Sequence, residues 1–398
     1  MNNNFSLFQA ARIARLMFFL VQSAFLLLLL PTSSFGALGN EAPFTECLDL
    51  HSNPQYPTSE VTYSQHNSSF TSMLQAYARN IRFLKPETRK PSFIVTPKGR
   101  RALVWWVLDR KAMGEDMFWA LRGGVARSLD QGASRTMYRW QEVAPNLPKD
   151  LFLRARVSVI KDQKEDSKNR LAFTFIALFL GESKELQDLL AKSFPELGIS
   201  AKYCQEMPWI NSTLFWDDIP SGTSTEILLS REYERLSRKV KSDYVTKPIP
   251  EERLQLMWKE VLDMDGLVME WNPYGGRMRE IPANEIAFYH RAGNLFKIEY
   301  DFKWYEEGKE AEEHHIELSR RLYKFMTPYV SNSPKEAFYN YRDLDLGTNT
   351  GRFAKTRAEF GNKYHGGNFQ RLLKVKLKVD PLNFFRDEQS IPPILNLT

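Results

Sequence analysis

Six histidines, at positions 51, 66, 290, 314, 315 and 365, and two cysteines, Cys47 and Cys204, are the side chains best suited to metal or nucleophile chemistry. No two histidines have HExxH spacing, and two cysteines cannot complete a structural zinc centre, so no metal site is expected. A Gly-x-Ser-x-Gly elbow and a phosphate-cradling Walker loop are also missing, so hydrolase and nucleoside-triphosphate readings have no support. Lys297 and Glu299 stand two residues apart and project from one face of an alternating segment. The same alternation describes a polar strand face turned to solvent, and the residue pattern alone favours that reading.

The elements that must position these groups can be read from periodicity. Leu295 to Trp304 places Phe296, Ile298, Tyr300, Phe302 and Trp304 on one face and Lys297, Glu299, Asp301 and Lys303 on the other. Strands are further expected at Pro91 to Pro97, as an edge or first strand between two prolines, at Leu151 to Ile160, at Leu171 to Leu180 and at Leu267 to Trp271. Helical spacing marks Ser72 to Arg82, Ser128 to Ala144, Ser183 to Phe194 with Ser183 as N-cap, Glu251 to Leu262 and Glu310 to Met326. A charged helix is expected at Ile227 to Lys241, and another at Glu115 to Arg122, stopped by Gly123. Residues 38 to 60 read as loop. Strands and helices alternate irregularly without a Gly-rich βαβ unit, so the expected class is α+β, with an antiparallel sheet covered by helices on one face.

Composition is ordinary for a globular chain, with 43% hydrophobic and 26% charged residues. The formal charge of +6 is modest, and its lysines and arginines are interleaved with carboxylates, which argues against a nucleic-acid partner. Arg12 and Arg15 precede an apolar run from Leu16 to Leu30, and small residues near Gly36 follow it. This is the layout of a signal peptide over residues 1–36, too short for a stable membrane anchor. The sequons at Asn67 and Asn211 agree with a secreted glycoprotein.

NYRDLDLG from Asn340 to Gly347, NKYHGGNFQRLLKVKLKVDPLNFF from Asn362 to Phe385 and EQSIPP from Glu388 to Pro393 together resemble the C-terminus of plant berberine bridge enzyme-like oxidases. The resemblance implies an FAD-linked oxidoreductase that oxidises an alcohol, sugar or alkaloid with oxygen as acceptor, delivered to the apoplast, cell wall or vacuole. It implies a truncated flavin-binding domain at 37–150, the remnant of a two-subdomain fold with much of it missing, a substrate domain at 151–330 and a segment at 331–398 returning to the flavin domain. It makes Tyr341 the catalytic base, with Lys297 or Glu299 at the position of the partner that stabilises its phenolate. It also assigns flavin contacts to Gly123 and Gly124 of FWALRGG and to Asn368 and Phe369 of KYHGGNF.

The chain departs from that family where the flavin should be joined to protein. The family uses a histidine and a cysteine for covalent attachment, yet no histidine lies between His66 and His290 and no cysteine between Cys47 and Cys204. KGRRALVWW, from Lys98 to Trp106, stands where most of the pyrophosphate-binding backbone belongs, and it matches nothing in the family. The family's disulfide partner for Cys47 is absent as well, and Cys204 matches a position outside that disulfide, so no Cys47–Cys204 bridge is expected. These departures imply FAD held without a covalent bond. They also set a rival beside the enzyme, a non-enzymatic secreted remnant that binds a ligand. Substrate identity and oligomeric state are left open.

Overall fold

The computed structural model describes residues 41–51, 57–96, 117–127, 132–162, 168–199, 201–230, 234–349 and 353–393. The apolar N-terminal segment and the KGRRALVWW stretch lie outside these residues. The chain divides into two units, one holding residues 1–70 with 92–99 and the other residues 71–91 with 100–398. In the first unit, helix α1 (Glu41–His51) occupies a stretch expected to be loop, and Phe44 packs on Phe93 with ring centroids 4.7 Å apart. Strand β1 (Thr62–Ser64) pairs antiparallel with β2 (Phe93–Val95), the short strand expected between the two prolines.

Helix α2 (Phe70–Tyr77) belongs, from Thr71 on, to the second unit, which is built on one sheet. Its helices and strands follow as β3 (Met117–Arg127), α3 (Ala133–Val143), β4 (Leu151–Lys161), β5 (Asn169–Phe179), α4 (Ser183–Ser193), β6 (Cys204–Pro208) and α5 (Trp209–Trp216). Then come β7 (Ser237–Val245), α6 (Glu251–Val261), β8 (Leu267–Pro273), β9 (Phe296–Trp304), α7 (Lys309–Met326) and α8 (Phe369–Val379), with shorter helical turns between them. The strand order is β6-β3-β5-β4-β8-β9-β7, and every neighbour is antiparallel.

Helices α3, α4, α6 and α7 cover one face of this sheet. Their Trp140, Leu186, Trp258 and Leu322 meet Ala155, Phe173, Trp271, Ile298 and Tyr300 in a single buried cluster. Trp140 and Trp258 make edge contacts with Phe296 and Phe173 at 5.3 and 5.0 Å, and the Trp140 Nε1–H donates to the Leu153 carbonyl at 3.0 Å. Each such side chain contributes roughly 1.5–3 kcal/mol of burial, and the indole hydrogen bond removes the cost of a buried donor. The expected α+β class, an antiparallel sheet under helices, is what the chain forms.

Four local expectations are corrected. Met117 to Arg127 is strand β3, not a helix stopped by Gly123, because β5 and β6 supply a ladder on either side. Gly123 pairs with Phe175 and Arg127 with Phe173, so the glycine pair opens a bulge. Ile227 to Lys241 is not a charged helix: a 3₁₀ turn (Thr225–Leu229) leads into β7. There Lys239 and Lys241 are buried and paired with Asp343, which removes the reason to place them in water. The N-cap of α4 is Glu182, joined to Glu185 in a capping box, one residue before the serine expected to do this. Finally, the polar face of β9 is not turned to solvent, since Lys297, Glu299 and Asp301 are all buried.

Strand β7 also carries a buried carboxyl. Asp243 has no exposed surface, lies 3.4 Å from the Lys335 ammonium, and is pushed up to about 7 by burial against the pull of Lys335 and Tyr300. An acid raised in the folded state stabilises fully below its unfolded pKa, near 4, and that contribution is lost as pH rises through about 7. Asp243→Asn is therefore expected to match the parent chain near pH 4 and to gain about 2–4 kcal/mol over it by pH 8. Lys335 keeps the Tyr323 carbonyl and Thr327 Oγ1 as acceptors, at 3.0 and 3.1 Å. Urea midpoints at the two pH values measure the difference, and a pH-independent difference would remove Asp243 as its source.

Candidate active site on the polar face of the sheet

Opposite the helical core, strand alternation projects a second set of side chains. Register aligns Arg156 of β4 with Glu270 of β8, Glu270 with Glu299 of β9, and Glu299 with Ser242 of β7; Asn272 aligns with Lys297, and Lys297 with Tyr244. These residues share one face because strand side chains repeat every two positions. Ion pairs knit them into a floor. Arg154 and Arg156 each reach Glu270 at 2.7 Å, Arg154 Nε donates to Asn272 at 2.7 Å, and Arg238 pairs with Asp301 at 2.5 Å and Glu299 at 3.2 Å.

Aromatic groups bound this floor at two ends. On the β4–β5 side, α5 sets Trp216 against Phe152 at 5.7 Å and beneath the Arg154 guanidinium at 4.7 Å. On the β9–β7 side stands the segment after α7, where the Phe338 N–H donates to Ser242 Oγ at 2.8 Å and Phe338 meets Tyr341 edge-on at 4.9 Å. The Lys297 ammonium lies over both rings, 3.7 Å from the Phe338 centroid and 4.3 Å from that of Tyr341. The fold thus brings Tyr341, Lys297 and Glu299 together, and sequence reasoning had left open which of the last two meets the tyrosine; both do.

Electrostatics divides the roles. Burial, then the Glu299 carboxylate to which the hydroxyl is hydrogen-bonded, pushes the Tyr341 phenol well above its ordinary value. Burial also raises Glu299, against the opposing hydrogen bond from Tyr341. Lys297 is pulled down to about 8 by burial, with Glu299 resisting the change. The phenol is accordingly held protonated, and Glu299 is the better proton acceptor of the pair. A substrate hydroxyl at Tyr341 could give its proton to the phenol oxygen while the phenol passes its own to Glu299.

The Tyr341 segment is held by a knot of three distant stretches. Asp343 Oδ1 and Oδ2 accept from Lys239 and Lys241 at 2.6 and 2.7 Å, and Asp345 accepts from Lys241 at 2.6 Å and Arg320 at 2.7 Å. Although burial opposes it, hydrogen bonds from Arg320 and Lys241 hold the Asp345 carboxyl well below the usual carboxylate range. The Asp343 N–H donates to Tyr364 Oη at 3.1 Å, and Tyr364 donates to Gln389 Oε1 at 3.2 Å. Gln389 Nε2 then donates back to the carbonyls of Asp343 and Gly347, both at 2.8 Å. NYRDLDLG, NKYHGG and EQSIPP therefore interlock at one point.

The residues expected to touch flavin are placed elsewhere. Gly123 sits in the β3–β5 ladder, and Gly124 follows it into the bulge. Asn368 is buried, and its Nδ2 donates to the carbonyls of Ala283 at 2.6 Å and Ile286 at 3.1 Å. Phe369 is fully buried and stacked on His365. Among the described residues, then, Gly123 is engaged by the ladder and Asn368 and Phe369 by the protein's own backbone and core. Of the sequons, Asn67 is exposed in a turn and accepts the Ser69 N–H at 2.8 Å, while Asn211 is half-buried in α5.

Arg154, Glu270, Arg238, Phe338 and Trp216 were not singled out in the sequence. Charged or polar residues alternating with apolar ones, as in LFLRARV and LVMEWNP, were the available signal.

Comparison with known proteins places these features. Residues 337–392 match the family described as "Berberine and berberine like". The chain is 43% identical over 319 residues to Berberine bridge enzyme-like 3 of Arabidopsis thaliana, covering 73% of this chain and 59% of that protein. It is 41% identical over 316 residues to Berberine bridge enzyme-like 8 of the same plant, covering 72% and 59%. The chain thus spans under two thirds of the length of these relatives. Among solved structures, BBE-like #28 from Arabidopsis thaliana superposes with a TM-score of 0.73 at 26% identity, covering 84% of this chain and 98% of that one. The Bermuda grass isoallergen BG60 superposes with a TM-score of 0.72 at 27% identity, covering 88% and 100%.

Proposed function

This chain belongs to the berberine bridge enzyme-like family, and on that premise we propose that it is an oxidoreductase of that type, acting on a small alcohol, sugar or alkaloid with oxygen as acceptor. The observation that carries the reading is the Tyr341–Glu299 pair with Lys297 above it, on a polar floor bounded by aromatic rings. FAD is the group that would accept hydride in this reaction class. The chain's own part is to seat the substrate on the floor, orient its hydroxyl at Tyr341 and take the proton at Glu299. Because the family's attachment histidine and cysteine are missing, FAD would be held without a covalent bond.

A second reading is favoured by one observation. Gly123, Asn368 and Phe369 are engaged in the ladder, the 283–287 backbone and the core, so the floor could survive as a ligand-binding surface without flavin. Secretion is part of either proposal and is supported by the N-terminal apolar segment and the sequon at exposed Asn67. Among the described residues no helix is long and apolar enough to cross a membrane.

The visible spectrum after incubation with FAD and gel filtration separates the two. The oxidoreductase reading expects a flavin band that elutes with the native chain and is released on denaturation. A chain that stays colourless would leave only the ligand-binding reading.

A further inference from the structure

We propose that Asp265, His314 and His315 form a binding site for a divalent transition metal of the zinc class. These residues take no part in the polar floor, and 48 residues separate Asp265 from the first of the two histidines. The fold closes that separation. Asp265 precedes β8, the histidines lie in the first half of α7, and one ligand atom from each lies within 4.8 Å of the others. His314 Nε2 is 3.2 Å from Asp265 Oδ1 and His315 Nε2 is 3.8 Å from Asp265 Oδ2. The second distance exceeds a hydrogen bond, yet it is within reach of two ligands that each lie about 2.0–2.2 Å from one cation.

Two features fix the geometry before any ion arrives. His315 is buried and stacks on Trp304, with centroids 4.7 Å apart and an interplanar angle of 17°. Gly266 has φ +72°, and a Cβ there would stand 2.2 Å from the Lys303 carbonyl oxygen, while the Lys303 N–H donates to Gly266 O at 3.0 Å. The Asp265–Gly266 turn is thereby pinned to β9. The other nitrogen of the His315 ring, Nδ1, is buried and has no hydrogen-bond partner among the described residues. Ligation through Nε2 places the proton on Nδ1, where no acceptor meets it, so the ion itself rather than a second hydrogen bond would select the tautomer.

Two imidazoles and one carboxylate are a donor set for Zn²⁺, Co²⁺ or Ni²⁺ rather than for Mg²⁺ or Ca²⁺, which prefer oxygen alone. Partly exposed Asp265 and exposed His314 leave the ion an approach from solvent. Lys297 is seven residues from Trp304 along β9, about 23 Å at the rise of a strand. The metal would tie α7 to the β8 turn at the far end of the sheet from Tyr341, a stabilising role rather than a catalytic one.

The test is calorimetric titration of tag-free chain with Zn²⁺ alone, followed by Co²⁺ with its visible absorption as a report of nitrogen ligation. One saturable site is expected, weakened at least tenfold by either His314→Ala or Asp265→Asn and unchanged by His66→Ala, a control at an exposed histidine elsewhere. Circular dichroism confirms that the variants fold. Absence of a saturable site in the parent chain would overturn the proposal, as would parent-like affinity in both ligand variants.

Discussion

Asp343→Ala is expected to destabilise the second unit by about 3–5 kcal/mol, the range for removing one partner of a buried ion pair. Its carboxylate is almost wholly buried and is the shared acceptor of Lys239 and Lys241, and Lys241 is itself 1% exposed. Without it, two ammonium groups depend on Asp345, whose side chain is 22% exposed and already engaged by Arg320. The cost comes from the stranded lysines more than from the lost attraction, so two companion variants should behave differently. Asp343→Asn keeps an acceptor and the Asp345 N–H contact, and should lose about half as much. Replacing Asp343 and Lys241 together by leucine and methionine should recover only the part owed to Lys241, because Lys239 still depends on Asp345 at 3.3 Å. Denaturant midpoints measure all three. Equal losses in the alanine variant and the double variant would mean that packing, rather than uncompensated charge, sets the cost.

The same cluster shows what could be read from the amino-acid order and what could not. Alternation in β9 is local, and it was legible down to the register of each side chain. The environment of its polar face was not, because what covers Lys297 and Glu299 comes from Phe338 and Tyr341, about forty residues later, and from Arg154 and Glu270 on strands before it. Strand β7 was misread for the same reason. SRKVKSDYV carries three cations, and the carboxylates that allow two of them indoors are Asp343 and Asp345, a hundred residues on. Strand β3 was misread through Gly123, which serves as a helix stop in one context and as a bulge in another. At the site, the resemblance directed attention to Tyr341, Lys297 and Glu299, and the fold places them side by side. It does not show why Gln389 belongs with them, and the hydrogen bonds from its amide to Asp343 and Gly347 supply that reason. The cluster of Asp265 with His314 and His315 was invisible to spacing rules because its ligands come from a turn and a helix with β9 between them.

Glu299→Gln is expected to lower kcat/KM for substrate oxidation by about 10²–10⁴, the usual worth of a positioned proton acceptor. Tyr341→Phe should match it within about tenfold, since the two groups form one relay and their losses should not add. The pH profile separates their roles. A base must be unprotonated to act, so the rate should rise with pH as Glu299 ionises, at a pH above the ordinary glutamate range because burial raises it. Lys297 is charged below about 8 and neutral above it, so the rate should fall on the alkaline side as its cation leaves the Tyr341 ring. Glu299→Gln should erase the acidic limb and keep the alkaline one, and Lys297→Met should do the reverse. In Tyr341→Phe the Glu299 carboxyl loses the hydrogen bond that favours its ionised form, so the acidic limb should move further up, a displacement that a purely structural role for the tyrosine would not produce. Were Glu299→Gln to keep both the parent rate and its acidic limb, Tyr341 would have to accept the proton alone, despite a burial and a neighbouring carboxylate that both hold its phenol protonated.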